Sequence, residues 1–299
     1  MAKRSRPGAA HRRRSGPSMW LASPALAFFG LFAVVPMLGV VYFSLVRWDG
    51  MGAMIWVGLD NWSQVFSNRT SLDAMRLTLV VMAATWLIQT PISLLLGVFM
   101  AGRQRYRAAM SVLYFLPLLF SAAAVGIAFK NLMDPVFGIG ASVPALRQDW
   151  LGDPGVALWS VMFVVSWSFI PFHSLLYQAG VRQIPVSIYE AARVDGVGPV
   201  RQFFYITLPQ LKYTIITSST LMLVGALTYF DLFFVMTQGG PANATRILPL
   251  DMYLTGFRSF QMGKASAVAV ILIAVGLTLS LGLNRLSGAH RMESQMEGM

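Results

Sequence analysis

Catalysis needs nucleophiles, metal ligands or paired acids and bases, and this chain of 299 residues offers few. It has no Cys, which excludes thiol chemistry, disulfides and Cys-based metal sites. Its three His (His11, His173 and His290) stand too far apart in sequence and setting to suggest a metal site. There is no GxxxxGK[ST] phosphate loop and no obvious Asp/Glu–His group. The chain is not expected to hydrolyse ATP or to carry a cofactor. Two places remain where polar residues have a telling setting. One is the stretch Ile184 to Lys212, in which Ser187 precedes Glu190 by three positions. The other is Asp231, an acid inside an apolar run, preceded by Thr228, Tyr229 and Phe230 and followed by Phe233 and Phe234.

The elements that must position these residues are membrane spans. Hydrophobic residues make up 56% of the chain and charged residues 12%. A soluble domain carries about twice that charge, and the mean hydropathy is +0.61. Crossing hydrocarbon takes about 20 mostly apolar residues. Charged residues fence six such runs, near 20–46, 75–100, 108–130, 155–178, 212–237 and 264–284. The first run is too long for a cleaved signal peptide. The net charge of +11 does not imply nucleic acid, because it is not a basic face interleaved with aromatics. Lys3, Arg4, Arg6, Arg12, Arg13 and Arg14 crowd the N-terminus, and others sit in alternate short loops (Arg103, Arg105 and Arg107; Arg182, Arg193, Arg201 and Lys212; Arg285 and Arg291). The other loops hold Arg47, Arg69, Arg147, Arg246, Arg258 and Lys264 over longer stretches. The bias places both termini in the cytoplasm. Trp48, Trp56, Trp62 and Trp150 in the outer loops read either as an interfacial aromatic belt or as a docking surface for an external partner.

An ionisable residue within a span is a functional candidate. Aromatic faces suit apolar surfaces of a solute, and Asp or Tyr suits hydroxyls. Thr228, Tyr229, Phe230 and Asp231 are therefore candidates for a solute path, with Trp159, Trp167 and Gln89 behind them. The competing reading is a helix-end acid and lipid-facing aromatics. His173, just after Pro171, reads as capping a kink.

The loop 184–211 is too polar to span and too regular for a linker. Ser187 and Glu190 fit a capping box. A short helix through Tyr189, Ala191, Ala192 and Arg193 would end at Gly196. Gly198-Pro199 would open a second, carrying Phe203, Phe204 and Ile206 and stopping near Pro209. The result is a helix–turn–helix elbow on the cytoplasmic face, either resting on the bilayer or docking a protein through its small residues Ala191 and Ala192.

Glu190-Ala191-Ala192, Asp195-Gly196, then Leu208-Pro209 twelve residues beyond that Gly, resembles the EAA loop of ABC importer membrane subunits. The stretch Thr237 to Thr245, with Tyr253, Phe257, Arg258, Phe260, Met262-Gly263 and Ala265-Ser266-Ala267, is similar to carbohydrate permeases of the maltose and glycerol-phosphate type. The resemblance runs from about Pro24 to Leu283. Tyr213 stands where Pro is frequent, and Gln238 where Gly is. The resemblance implies an all-α, polytopic permease domain over 19–285, with about six transmembrane helices and the coupling loop 184–211. A basic cytoplasmic tail 1–18 and a C-terminal tail 286–299 flank it. It further implies a multi-pass protein of the bacterial plasma (inner) membrane that is not an enzyme. Its partners would be a second homologous permease, a cytoplasmic ATPase dimer, an extracytoplasmic solute-binding (lipo)protein, a sugar and the lipid bilayer, with no nucleic acid. Coupling would fall to Glu190, Ala191, Ala192, Arg193, Asp195, Gly196, Leu208 and Pro209. The alternative solute is a polyol or glycerol phosphate.

Overall fold

The computed structural model describes residues 22–102 and 104–287. The expected tail 1–18, Arg103 and residues 288–299 lie outside them. The described chain is mostly helical, as expected. α1 (Ser23–Ser44) includes a wide π turn at Gly30–Val34. A two-stranded antiparallel ribbon follows, β1 (Val46–Arg47) and β2 (Ile55–Trp56), with Val46 opposite Trp56. This ribbon is the one departure from all-α among the described residues. Then come α2 (Asp60–Ser67), α3 (Arg69–Met100), α4 (Arg105–Tyr114), α5 (Ala122–Leu132) and α6 (Ala157–Gln183). The elbow is α7 (Val186–Val194) and α8 (residues 199–210, with a π turn over Phe203–Thr207). α9 (Lys212–Ala226), α10 (Asp231–Thr237), α11 (Leu248–Tyr253) and α12 (Met262–Ser287) complete it.

Four of these, α1, α3, α6 and α12, are long and apolar enough to cross a membrane. A fifth candidate is the pair α9 and α10, bent by 44° at a short break. Six continuous spans are not found among the described residues. The run expected at 108–130 is broken into α4, a 3-10 turn at Leu116–Leu119 and α5. Pro117 lacks an N–H and so interrupts the helical hydrogen-bond ladder there. Ser121 then starts α5 afresh, its Oγ accepting from the Ala124 N–H at 3.2 Å. The run expected at 212–237 breaks before Asp231, which therefore begins a short helix at the bend of this candidate span. α3 starts earlier than its charge fence, because Asn68 caps it through Oδ1 to the N–H groups of Thr70 and Ser71. Arg76 is simply part of that helix.

α3 and α6 form the central pair. Their seam is polar where lipid would forbid exposed amides and hydroxyls: Gln89 donates to Ser166 Oγ (3.3 Å), Ser93 to the Ile170 carbonyl (3.4 Å) and Gln178 to the Met100 carbonyl (2.9 Å). Such interhelical bonds and small residues hold membrane helices together. α9 joins through Trp86 Nε1 to Ser219 Oγ (2.9 Å) and through His173 Nδ1 with Ser218 Oγ (3.0 Å). His173 thus bonds the next helix. The apolar core around Val81, Val161, Met162, Phe233 and Leu250 packs α3, α6, α10 and α11 together.

Gly97 sets how closely α3 and α6 approach. A Cβ there would lie 2.6 Å from the Tyr177 Cβ and 2.7 Å from the Ser174 carbonyl oxygen. Gly97→Ala is expected to cost about 1–3 kcal/mol by forcing the helices apart, read as a lower thermal midpoint of the solubilised protein. Gly282→Ala, with open space around its added carbon, should leave that midpoint level or slightly raised. Equal midpoints for the two variants would refute the close-approach account.

Candidate functional site

The elbow folds as the sequence suggests at its turn and differs at its start. α7 begins at Val186 with Pro185 at the cap position and no side-chain capping bond. Pro185 fixes the chain direction, so the helix starts before Ser187 and the expected capping box does not form. Glu190 is consequently left exposed, with no partner among the described residues. The helix ends at Gly196, whose φ of +72° only Gly adopts at no steric cost. Val197 N–H closes back onto the Ala192 carbonyl at 2.8 Å. Gly198 and Pro199 open α8 as expected. α8 runs on to Gln210, so Pro209 sits inside its last turn.

Two side-chain bonds lock the arms together. Tyr189 and Thr207 share a hydroxyl hydrogen bond of 2.9 Å, and Gln202 Nε2 donates to the Val197 carbonyl at 2.7 Å. Ala192 is buried between the arms, so of the two expected contact alanines only Ala191 faces outward. Arg193, Asp195 and Pro209 are exposed and Leu208 is half-buried. The elbow also presents exposed apolar surface at Val194, Val200 and Tyr205. At its far end Leu211 is buried against Tyr177 and Leu94, which fastens it to α6 and α3.

The second candidate region lies at the break between α9 and α10. A cavity of about 220 Å³ is lined by Thr228, Tyr229, Phe230 and Asp231 together with Phe169 and Ala122. The structure thus brings together the four residues named for a solute path. Tyr229 stacks on Phe169 at 5.3 Å between ring centroids, and its hydroxyl reaches toward the buried Gln89 amide. Gln89 Oε1 is itself buried without a hydrogen bond. Phe230 stacks on Phe234 at 5.1 Å, whereas Phe233 is core packing. Thr228 donates to the Gly225 carbonyl at 2.8 Å and so fills a bond lost at the break. Asp231 is exposed at the first turn of α10. Trp159 and Trp167 face outward and do not line this cavity. Thr228 and Phe230 also line a wider apolar groove of about 690 Å³ bounded by α1, α9, α11 and α12.

Sequence reasoning missed Asp251. It is 1% exposed, and its Oδ1 takes the Arg246 guanidinium through Nε and Nη2, each at 2.8 Å. The available signal was an acid inside the apolar run Leu248 to Leu254. The loop joining α10 to α11 is tied by Thr237 and Thr245 hydroxyls 2.6 Å apart and by Arg258 donating to Gln238 Oε1 at 3.0 Å.

The model of the family described as binding-protein-dependent transport system inner membrane component matches residues 89–290. The chain is 30% identical over 267 residues to the probable ABC transporter permease protein YurN of Bacillus subtilis, covering 86% of this chain and 91% of that one. It is 29% identical to the diacetylchitobiose uptake system permease protein NgcF of Streptomyces coelicolor, covering 90% and 82%. Among solved structures, a bacterial ABC transporter involved in the import of the acidic polysaccharide alginate superposes with a TM-score of 0.79 at 22% identity, over 90% of this chain and 95% of that one. That likeness establishes the fold.

The elbow's rigidity is open to test. Gly196→Val should strain the turn by about 1–2 kcal/mol per residue forced left-handed, and Tyr189→Phe should remove about 1 kcal/mol with its hydrogen bond. Both are expected to speed amide hydrogen exchange over residues 186–197 and leave α6 protected. Unchanged exchange in the elbow would contradict the locking described.

Proposed function

Since this chain belongs to the family of binding-protein-dependent transport system inner membrane components, we propose that it is the permease subunit of an ATP-driven importer whose solute is a sugar. It is a multi-pass inner-membrane transport subunit and not itself an enzyme. The carrying observation is the elbow: a locked, outward-facing helix pair with an unpaired Glu190, fastened at Leu211 to the central helices.

In this reading the elbow sits in a cleft of a cytoplasmic ATPase. Glu190 bridges to the partner, and Ala191 allows close approach. Arg193 and Asp195 form a polar rim, while Gly196 makes the turn; Ala192 and Leu208 shape the elbow from within, and the exposed Pro209 lies in its last turn. Closure of two ATPases around ATP draws the elbows of two permeases together, and the spans rock between inward-open and outward-open states. ATP shifts that equilibrium only through contacts that differ between the states. The second permease, the ATPase pair and an extracytoplasmic binding protein are the partners. Both termini lie in the cytoplasm, a placement supported by the Lys and Arg bias. The domain layout is the permease 19–285 with tails 1–18 and 286–299.

Sugar as solute is supported by the likeness to a diacetylchitobiose uptake permease and by the cavity at the helix break. Stacked Tyr229 and Phe230 suit the apolar faces of a ring, and Thr228, Asp231 and Tyr229 suit its hydroxyls. Asp231 also bears on the alternative solutes. A carboxylate in the cavity repels an anion, so glycerol phosphate is disfavoured and a neutral polyol stays the second reading.

In vesicles holding the assembled importer, a neutral mono- or oligosaccharide should be taken up and glycerol phosphate excluded. Thr228→Val should lower sugar uptake while leaving ATPase docking intact. Glu190→Lys should lower uptake by at least about tenfold by placing like charge at a docking contact, with ATP hydrolysis no longer following transport. Unaltered transport and assembly in Glu190→Lys would defeat the docking role, and failure of any ATPase to co-purify would defeat the importer reading.

A further inference from the structure

On the face opposite the elbow, the start of α3, α11 and the first turn of α12 enclose a polar cavity of about 180 Å³. We propose that this cavity is a subsite for one hydroxylated ring of the solute, separate from the cavity at the helix break; the proposal rests on the sugar reading above. Asp251 and Lys264 line it, with Arg246, Thr70, Thr255 and Gln261 around them.

Asp251 is 1% exposed, yet only half its carboxylate is used. Oδ1 takes both Arg246 contacts, and Oδ2 is buried with no hydrogen-bond partner. A buried acceptor left bare is costly, and more so when it is charged. Lys264, on the same cavity, makes no ion pair among the described residues. A ligand that satisfies both must donate to Oδ2 and accept from the ammonium. A metal cation would meet Arg246 and Lys264, and an anion would meet Oδ2. A hydroxyl does both jobs. The Thr70 and Thr255 hydroxyls and the Gln261 amide can likewise donate or accept, which fits a ring carrying several hydroxyls.

The volume equals the share of about six waters in the liquid, which is room for a single ring. Neighbouring clefts leave space for further units. Gln261 and Lys264 also border a cleft of about 440 Å³ with Trp48, Asp49 and Phe260. Thr70 and Arg246 border one of about 370 Å³ on the other side. Phe260 is held at φ +53° and is exposed. Backbone strain of that kind at a non-Gly residue collects at binding sites. The groove therefore runs along the outer face from the ribbon to the loop after α10.

The test uses the assembled permease–ATPase complex in nanodiscs, without the binding protein. Glucose, as the single-ring probe, and the carbohydrate taken up fastest in the uptake panel are titrated, and saturation transfer from protein to sugar is read by NMR. Both should give transfer in the unaltered complex. Lys264→Met and Thr255→Val each keep the Arg246–Asp251 pair, and each should weaken binding about tenfold at an unchanged thermal midpoint. No transfer, or equal transfer in all three proteins, means the cavity holds water only and overturns the subsite while carbohydrate uptake stands. An uptake panel in which no carbohydrate enters would overturn the sugar reading, and this subsite with it.

Discussion

A backbone amide inside hydrocarbon finds no water to bond, so every backbone polar group at membrane depth must be satisfied within the protein. This constraint decides where the helices can be broken. The gap between α9 and α10 survives because its groups turn inward: Leu227 and Thr228 N–H bond the Val224 and Gly225 carbonyls, and the Thr228 hydroxyl adds a second bond to Gly225. The other gap, between α4 and α5, is repaired by the 3-10 turn and the Ser121 cap. The two gaps meet at one place, since Ala122 from one and Thr228 to Leu232 from the other line the same cavity. Irregular backbone in a membrane protein is tolerated only where it is buried or lines a cavity. Here it does both.

The same constraint turns the central helices into a single lever. Bonds from Gln89, Ser93 and Gln178 link α3 to α6 along the length of the seam. His173 with Ser218, and Trp86 with Ser219, bring α9 into the same unit. The elbow grows from the end of α6 and returns to the start of α9 through Leu211, which packs on Tyr177. A displacement of the elbow therefore has no slack loop to dissipate it before it reaches the helices beside the break.

The location of the apolar runs was legible in the sequence, because charges do not lie among lipids, and α9 does begin at its fence, Lys212. The breaks were not legible to hydropathy, because Leu116 to Leu119 are as apolar as any span and Leu227 to Phe230 carry no charge. Hydropathy registers transfer into lipid and is blind to a missing N–H at Pro117. Gly196 and Gly198-Pro199 could be read correctly, since positive φ and a fixed ring are properties of single residues. Ser187 was misread because capping depends on where the helix begins, and Pro185 moves that start. The division of labour between Ala191 and Ala192 needed the packing of the second arm. Thr228 to Asp231 could be singled out by type, but their convergence with Phe169 and Gln89 is a long-range contact that no local spacing reveals.

α3 holds 32 residues, about 48 Å at 1.5 Å per residue, against roughly 30 Å of hydrocarbon. So long a rod must tilt or stand proud of the lipid, and its angle becomes a function of membrane thickness. Because α6 is joined to it by the polar seam and the elbow hangs from α6, a change of tilt swings the elbow as well. Bilayer thickness thereby reaches the elbow, and acyl-chain length becomes a control on the angle at which the elbow stands to the membrane.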